Sequence, residues 1–203
     1  YCLEADPDGT LWLCGDQGLT YRPPGERWQN IVAQDLPVRC FTRDPDGRIW
    51  LGTVHGIWSI LPDGTGLSGP LLLPSPLVGN EVRSLAVDAR GRLWIGTPRG
   101  LSHVDARGHV TVVTTDEALC LETAEGRDLL FGTLAGLQRV AASAEPEIVL
   151  DDVVTHVTFD AAGSPWIATR EGTISPWGFV PSVTMTFSGS RVLASTMTAE
   201  LGI

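Results

Sequence analysis

Apolar and polar residues alternate in short runs along this chain, and the runs are separated by turns rich in glycine. The clearest case is the stretch from Glu81 to Thr115, where the alternation predicts four strands, here called A to D: Glu81–Asp88, Arg92–Thr97, Leu101–Asp105 and His109–Thr115. Gly91 and Gly100 lie in the A–B and B–C turns, where a positive φ is needed. No stretch shows a capped helical period, so the chain is predicted to be all-β.

The same pattern recurs five times, as D-x-x-G-x-[hydrophobic]-W-[hydrophobic]-G-T-x-x-G-[hydrophobic]. The units cover residues 3–19, 41–57, 85–101, 121–137 and 157–173. Their tryptophan position is spaced by 38, 44, 36 and 36 residues, at Trp12, Trp50, Trp94, Leu130 and Trp166. A period near 40 in an all-β chain is typical of one propeller blade per repeat. We therefore predict a β-propeller with about five four-stranded blades.

The repeats predict a single domain over residues 1–203. Its blades span approximately 1–35, 36–78, 79–115, 116–152 and 153–189, and residues 190–203 are either a closing strand or the start of a further blade. The first three repeats are regular, but the fourth has Leu130 in place of tryptophan and the fifth has Pro165 inside strand B. Proline there points to an edge strand or a locally unpaired N–H. The chain is thus either a fragment of a larger propeller or an atypical five-bladed one.

Strand B is apolar on both faces, as radial stacking of blades requires. The repeat tryptophans are predicted to be wedges between blades, and Gly52, Gly96 and Gly132 to leave room for the neighbouring tryptophan.

No apolar run approaches the roughly 20 residues of a membrane helix, and residues 1–4 do not resemble a signal peptide. We expect either a cytoplasmic protein or a sequence that begins after a removed segment. The net charge of −10 disfavours nucleic-acid binding.

The repeat resembles the two-component regulator propeller repeat. Residues 41–57 and 85–101 match its signature, and the segments 34–38 and 79–82 resemble its lead-in to strand A. This resemblance covers residues 1–175 approximately and implies the sensor portion of a bacterial signalling receptor, in the periplasm or outside the cell. It implies a binding module for an unknown small ligand or protein partner, without a membrane segment in this chain.

Loops at one mouth of a propeller can vary without harming the core, so they are the predicted recognition surface. The B–C turns place six polar residues there: Asp16, Gln17, His55, Arg99, Arg170 and Glu171. No catalytic motif is present around the four histidines, and we expect no enzyme activity and no cofactor. The alternatives are a propeller lyase of the virginiamycin B lyase type, with His55 beside Asp16 or Glu171, and a protein-interaction scaffold.

Strand A carries a second alignment, expected near the central axis at equal height, formed by Cys2, Cys40, Ser84, Cys120 and His156. Three thiols and an imidazole could bind a soft metal, but small residues suited to a crowded centre are the favoured interpretation, and no metal site is predicted. Cys14, on strand B, is assigned to packing. The sequences Asp6-Pro7-Asp8-Gly9 and Asp44-Pro45-Asp46-Gly47 resemble calcium loops faintly but are better explained as turns.

Overall fold

The computed structural model describes residues 2–31, 36–61, 66–70, 80–123, 129–140, 146–159, 164–169, 172–175 and 178–181. These residues form strands and turns and contain no helix. The strands make five four-stranded antiparallel sheets, each ordered A-B-C-D along the chain. The all-β propeller fold predicted from the repeat is confirmed.

Each sheet is built from four consecutive strands. Sheet 1 contains β1 (Cys2–Ala5), β2 (Leu11–Gly15), β3 (Gly18–Arg22) and β4 (Gln29–Asn30). Sheet 2 contains β5 (Val38–Arg43), β6 (Ile49–Thr53), β7 (Gly56–Ile60) and β8 (Leu67–Ser68). Sheet 3 contains β9 (Ser84–Val87), β10 (Leu93–Thr97), β11 (Gly100–Val104) and β12 (Val110–Thr114). Sheet 4 contains β13 (Cys120–Thr123), β14 (Leu129–Thr133), β15 (Gly136–Val140) and β16 (Glu147–Leu150). Sheet 5 contains β17 (Val154–Phe159), β18 (Pro165–Thr169), β19 (Gly172–Ser175) and β20 (Gly178–Pro181).

Consecutive sheets pack face to face, and their A strands contact one another in chain order. We call the face that packs on the next sheet the trailing face and the face that packs on the preceding sheet the leading face. Trp12, Trp50, Trp94 and Leu130 lie on trailing faces, within four apolar clusters that join sheets 1–2, 2–3, 3–4 and 4–5. The predicted wedge role of the first three tryptophans is confirmed, and Trp94 is only 1% exposed.

The aspartate at the start of each regular A–B turn explains why it accompanies tryptophan in the repeat. Asp88 Oδ1 accepts the backbone N–H groups of Arg90 and Arg92 at 2.9 and 3.0 Å, which fixes the turn. Its Oδ2 accepts the indole N–H of Trp94 at 2.9 Å. Asp6 and Asp44 accept the indoles of Trp12 and Trp50 in the same way, at 2.7 and 3.2 Å. In the fourth repeat Ala124 replaces this aspartate where Leu130 replaces tryptophan, because leucine has no N–H to satisfy.

The glycines on strand B have a different role from the predicted one. A Cβ on Gly52 would come within 2.7 Å of Val82 Cγ1, and one on Gly132 within 2.7 Å of the Val154 carbonyl oxygen. Val82 precedes strand A of sheet 3 and Val154 begins strand A of sheet 5. The nearest atom at each glycine is the Sγ of the cross-strand cysteine, Cys40 or Cys120, and none of these contacts is with a tryptophan. Glycine is therefore needed because the cross-strand cysteine and the start of the next sheet both close on this position.

For Pro165, the edge-strand alternative is wrong. It is the first residue of β18, which lies inside sheet 5 between β17 and β19. The first residue of a strand is one of the positions where proline is accepted. The lead-in to strand A differs as well, since β9 begins at Ser84 and the preceding residues link sheets 2 and 3.

Candidate functional site

One face of the propeller, here called the mouth, carries the B–C turns and the D–A links. Each B–C turn has two residues between strands and is followed by glycine, which has a positive φ at Gly18, Gly56, Gly100 and Gly136. The threonine that ends strand B holds the turn from inside. Thr53 Oγ1 donates to the Gly56 carbonyl at 2.8 Å and accepts the His55 N–H at 3.0 Å. The backbone of the turn is thus fixed by buried groups while its two side chains remain on the surface.

The same hydrogen-bond pattern recurs in sheets 3 and 4. Thr97 Oγ1 donates to the Gly100 carbonyl at 3.1 Å and accepts the Arg99 N–H at 3.2 Å. Thr133 Oγ1 donates to the Gly136 carbonyl at 3.0 Å and accepts the Ala135 N–H at 3.1 Å. Three turns therefore present their side chains from one backbone geometry.

Backbone hydrogen bonds join the turns to the D–A links of the following sheet. The Val82 N–H donates to the Thr53 carbonyl at 2.9 Å, and the Ala118 N–H donates to the Thr97 carbonyl at 3.1 Å. Val82 and Ala118 are fully buried, while their neighbours on the links face solvent. The B–C turns of sheets 2 and 3 are consequently tied by backbone hydrogen bonds to the described end of the link that enters the following sheet.

The side chains on this constant backbone differ from turn to turn. Asp16, Gln17, His55 and Arg99 are all exposed, as the sequence predicted. Arg170 and Glu171 lie outside the described residues. The first position of the four described turns holds Asp16, Val54, Pro98 and Leu134, and the second holds Gln17, His55, Arg99 and Ala135. Leu134 is 53% exposed and adds an apolar element that sequence reasoning did not include.

The D–A links add charged residues that were also missed. Arg83 forms ion pairs with Glu81, at 3.5 Å, and with Glu117 on the next link along the chain. Glu117 is 34 residues from Arg83, so only the stacking of sheets 3 and 4 brings the two together. The signal available in the sequence was the position of these residues within three residues before strand A. The mouth therefore combines both signs of charge with hydrogen-bonding and apolar side chains.

The aligned strand A residues occupy the same register position in all five sheets, each paired with the strand B residue equivalent to Gly52. They do not form one cluster of side chains. Cys2 forms a disulfide with its cross-strand partner Cys14, with a Cα–Cα distance of 5.1 Å. Because Cys2 has no free thiol, its weak prediction as a metal ligand is wrong. The prediction that Cys14 serves only in packing is also wrong, since it forms this disulfide.

Cys40 and Cys120 are free thiols that lie against Gly52 and Gly132 inside the interfaces between sheets. Desolvation raises the pKa of Cys40 to about 12 and that of Cys120 to about 11. A thiol with so high a pKa is a poor ligand and nucleophile near neutral pH. The described residues contain no group of three or more histidine, cysteine or acidic side chains that could hold a metal ion.

Two carboxyl groups on the inner strands are electrostatically coupled. Desolvation raises the pKa of Glu122, on β13, to about 7. Desolvation likewise raises the pKa of Glu4, on β1, to about 7, with a further rise from Glu122 that is opposed by Arg43. His156 has a lowered pKa, also through desolvation. Burial on the inner strands is thus the main cause of both raised carboxyl pKa values.

The Asp-Pro-Asp-Gly segments form turns. Asp44 Oδ1 accepts the N–H groups of Asp46 and Arg48 at 3.1 and 2.9 Å, while Oδ2 accepts the Trp50 indole. Asp6 is engaged by Trp12 and by Arg43, which pairs with its Oδ1 at 2.5 Å, and the turn N–H of Thr10 is accepted by Asp8 instead. Contacts with the turn backbone and the tryptophans therefore explain why aspartate occurs at these positions, and no bound cation is needed for that explanation.

A family model described as two component regulator propeller matches residues 34–55 and 76–99. The match includes strand B and the B–C turn of sheet 2 and strand B of sheet 3, so the resemblance seen in the repeat is confirmed for these segments. No curated protein sequence matches the chain.

Several solved structures share the fold. The extracellular domain of the hybrid two component system BT3049 from B. thetaiotaomicron superposes with a TM-score of 0.71 at 20% identity, over 85% of this chain and 26% of that domain. The extracellular domain of BT4673 from the same organism gives 0.70 at 18% identity, over 88% and 26%. Virginiamycin B lyase from Staphylococcus aureus gives 0.67 at 14% identity, over 87% and 66%. The chain thus spans about a quarter of each sensor domain and about two thirds of the lyase.

No helix in the described part of the chain has the length and hydropathy needed to cross a membrane.

Proposed function

We propose that this chain, whose repeats match the two-component regulator propeller model, is a ligand-binding sensor module that recognises a small polar ligand or a protein partner through its mouth. The observation that carries the proposal is the constant backbone of the B–C turns beneath variable side chains. Thr53, Thr97 and Thr133 make the same two hydrogen bonds in three sheets. Packing of the sheets does not dictate which side chains stand at the exposed turn positions, so these side chains can differ from turn to turn to suit a ligand.

The mixed character of the mouth indicates what it can bind. Arg99 and His55 offer donors, Asp16 and Gln17 offer acceptors, and Leu134 offers an apolar contact. Such a set suits a ligand with several hydroxyl or charged groups, held by a few placed polar contacts on a rigid scaffold. The extracellular sensor domains with the same fold support a role outside the cytoplasm as part of a signalling receptor.

The test is a thermal-shift screen of the protein against sugars, metal ions and small metabolites. The mouth variant is the triple substitution Gln17→Ala, His55→Ala and Arg99→Ala, which follows the natural Ala135 at the same turn position in sheet 4. The matched control removes three exposed polar side chains from the opposite face, by Asp46→Ala, Arg107→Ala and His109→Ala. We expect a compound that raises the Tm of the wild type and the control but not of the mouth variant. A compound whose effect survives in the mouth variant would contradict the assignment, and consistent silence would favour the scaffold alternative.

The lyase fold similarity favours one competing function. A lyase would need a general base at the mouth, and His55 is the exposed histidine on the described B–C turns. Lyase activity toward virginiamycin B, lost in His55→Ala while the Tm stays unchanged, would establish that alternative. Activity that persists in His55→Ala would exclude His55 as its base.

A further inference from the structure

Arg43 lies between sheets 1 and 2 with only part of its guanidinium group engaged. Its Nη1 pairs with Asp6 Oδ1 at 2.5 Å, and its Cζ lies 4.3 Å from the centroid of the Trp12 ring. These two contacts fix both the position and the orientation of the group. Nε and Nη2 are not exposed to solvent, and no described residue supplies a hydrogen-bond partner for either of them.

The two unpartnered nitrogens lie on one edge of the guanidinium, and their N–H groups point in the same direction. An edge of this kind takes a carboxylate in a bidentate pair, through two parallel N–H···O bonds. Buried donors without a partner are rare in folded proteins, because each has given up its hydrogen bonds to water. The free edge of Arg43 is therefore preorganised for a carboxylate.

Glu4 supplies a carboxyl group on the facing sheet. It is directly opposite Trp12 in the pairing of β1 with β2, so its side chain lies on the trailing face, beside the ring that Arg43 covers. The positive charge of Arg43 lowers the pKa of Glu4, which shows that the two groups interact. Both residues are described, and no ion pair joins them in this structure. Glu4 is exposed, so its side chain can turn toward the free edge.

The other described sheets do not combine these two groups. The positions equivalent to Glu4 hold Thr42, Ala86, Glu122 and Thr158, and those equivalent to Arg43 hold Val87, Thr123 and Phe159. Glu122 of sheet 4 is therefore followed by Phe159 in sheet 5, where sheet 2 has Arg43. The repeat itself does not require the glutamate and arginine of sheets 1 and 2.

The charge of Glu4 decides whether the pair can form. Desolvation raises the pKa of Glu4 to about 7 against the opposing charge of Arg43, with further rises from Glu122 and Asp6. Cys40 also senses the charge of Glu4, but its thiol stays neutral because desolvation raises its pKa to about 12. The Glu4 carboxyl is thus neutral in acid and becomes a carboxylate as the pH rises.

We propose that Glu4 and Arg43 form a pH-sensitive latch between sheets 1 and 2, which closes when the ionised Glu4 carboxylate occupies the free edge of the guanidinium. The latch lies at the A–B end of the inner strands, away from the mouth, so it does not rest on the recognition role proposed for the mouth. Closing it adds a second carboxylate to the Asp6 contact that already ties Arg43 to sheet 1.

The first experiment follows the Arg43 Nε–Hε group by NMR in the isotope-labelled protein, with its signal assigned by its loss in Arg43→Lys. The wild type is compared with Glu4→Gln and with Glu122→Gln, the matched control that neutralises the equivalent carboxyl of sheet 4. At about pH 8.5, we expect Hε to exchange with water at least about fivefold more slowly in the wild type and in Glu122→Gln than in Glu4→Gln. At about pH 5.5, we expect the same rate in all three. Equal rates in the wild type and Glu4→Gln at the higher pH would overturn the proposal.

A double-mutant cycle covers the case in which Hε exchanges too fast to be followed. Glu4→Gln and Arg43→Gln are combined and the unfolding equilibrium constants are measured in urea. Water partly screens an exposed carboxylate, so we expect a coupling of at least about threefold at about pH 8.5, lost at about pH 5.5. The same cycle with Glu122→Gln should show no coupling at either pH, since Arg43 does not affect the pKa of Glu122. A coupling that is independent of pH, or no larger for Glu4 than for Glu122, would contradict the latch.

Discussion

Replacing Asp88 by alanine removes the acceptor for a buried indole. Trp94 is 1% exposed, and its N–H would have no other partner at that position once Oδ2 is gone. An unsatisfied buried donor costs about 1–3 kcal/mol. The two turn N–H groups of Arg90 and Arg92 also lose their acceptor, a loss comparable to that of a helix cap, about 1 kcal/mol. We therefore expect Asp88→Ala to lower the free energy of unfolding by about 2–4 kcal/mol.

The chain supplies a control that separates these two contributions. Asp105 Oδ1 accepts the N–H groups of Arg107 and His109 at 2.8 and 2.9 Å in the C–D turn, but no tryptophan is among its partners. Asp105→Ala should therefore lose the turn contribution and a side-chain contact with His109, as Asp88→Ala loses one with Arg92, but no acceptor of an indole N–H. Urea unfolding followed by circular dichroism, with equal m-values, gives both free energies.

The fourth repeat suggests the decisive comparison, because it lacks aspartate and tryptophan together. In a Trp94→Leu background there is no indole to satisfy, so Asp88→Ala should cost at least about 1 kcal/mol less than in the wild type. The coupling would be refuted if the cost of Asp88→Ala were the same in both backgrounds, or no larger than that of Asp105→Ala.

Three further outcomes follow from the packing and charges. Gly132→Ala should lower the free energy of unfolding in urea by at least about 1 kcal/mol more than Gly96→Ala does. The reason is that an added Cβ meets Cys120 Sγ at 2.6 Å at position 132 but no atom closer than 3.2 Å at position 96. Equal losses for the two variants would contradict this. Thr53→Val should cost about 1–2 kcal/mol in the same assay, since it removes both hydroxyl bonds of a fully buried turn group. Glu122 has a folded-state pKa raised above its unfolded value of 4.5 to about 7, so its contribution to stability falls as the pH rises through that window. The free energy of unfolding of Glu122→Gln, relative to that of the wild type, should therefore rise by about 2 kcal/mol between pH 4.5 and pH 7. A relative free energy that does not change with pH would contradict the raised pKa of Glu122.

The sequence predicts the sheets well because each repeat carries its own turn chemistry. Asp88, Gly91 and Trp94 recur at fixed offsets, and these offsets alone locate strands A and B. The disulfide between Cys2 and Cys14 was missed because it depends on the register of the A–B hairpin, and that register depends on the length of the turn from Asp6 to Thr10.

The mouth was only partly predictable for a different reason. Asp16, Gln17, His55 and Arg99 were found because the turn motif fixes their positions locally. Arg83 and Glu117 were missed because their pairing depends on how neighbouring sheets stack, which the repeat consensus does not encode. The role of Gly52 and Gly132 was misassigned because the atoms that crowd them are the Sγ of the cross-strand Cys40 or Cys120 and atoms of Val82 or Val154 of the next sheet, and not a tryptophan.

Hydrogen exchange at the mouth is the most direct test of a recognition role. The protein is compared with and without the compound that raises its Tm, and exchange is followed by mass spectrometry. We expect added protection in peptides that contain the B–C turns at Asp16, His55 and Arg99 and the D–A links at Arg83 and Glu117. Protection confined to the A–B and C–D turns of the opposite face, such as those at Asp46 and Arg107, would contradict it.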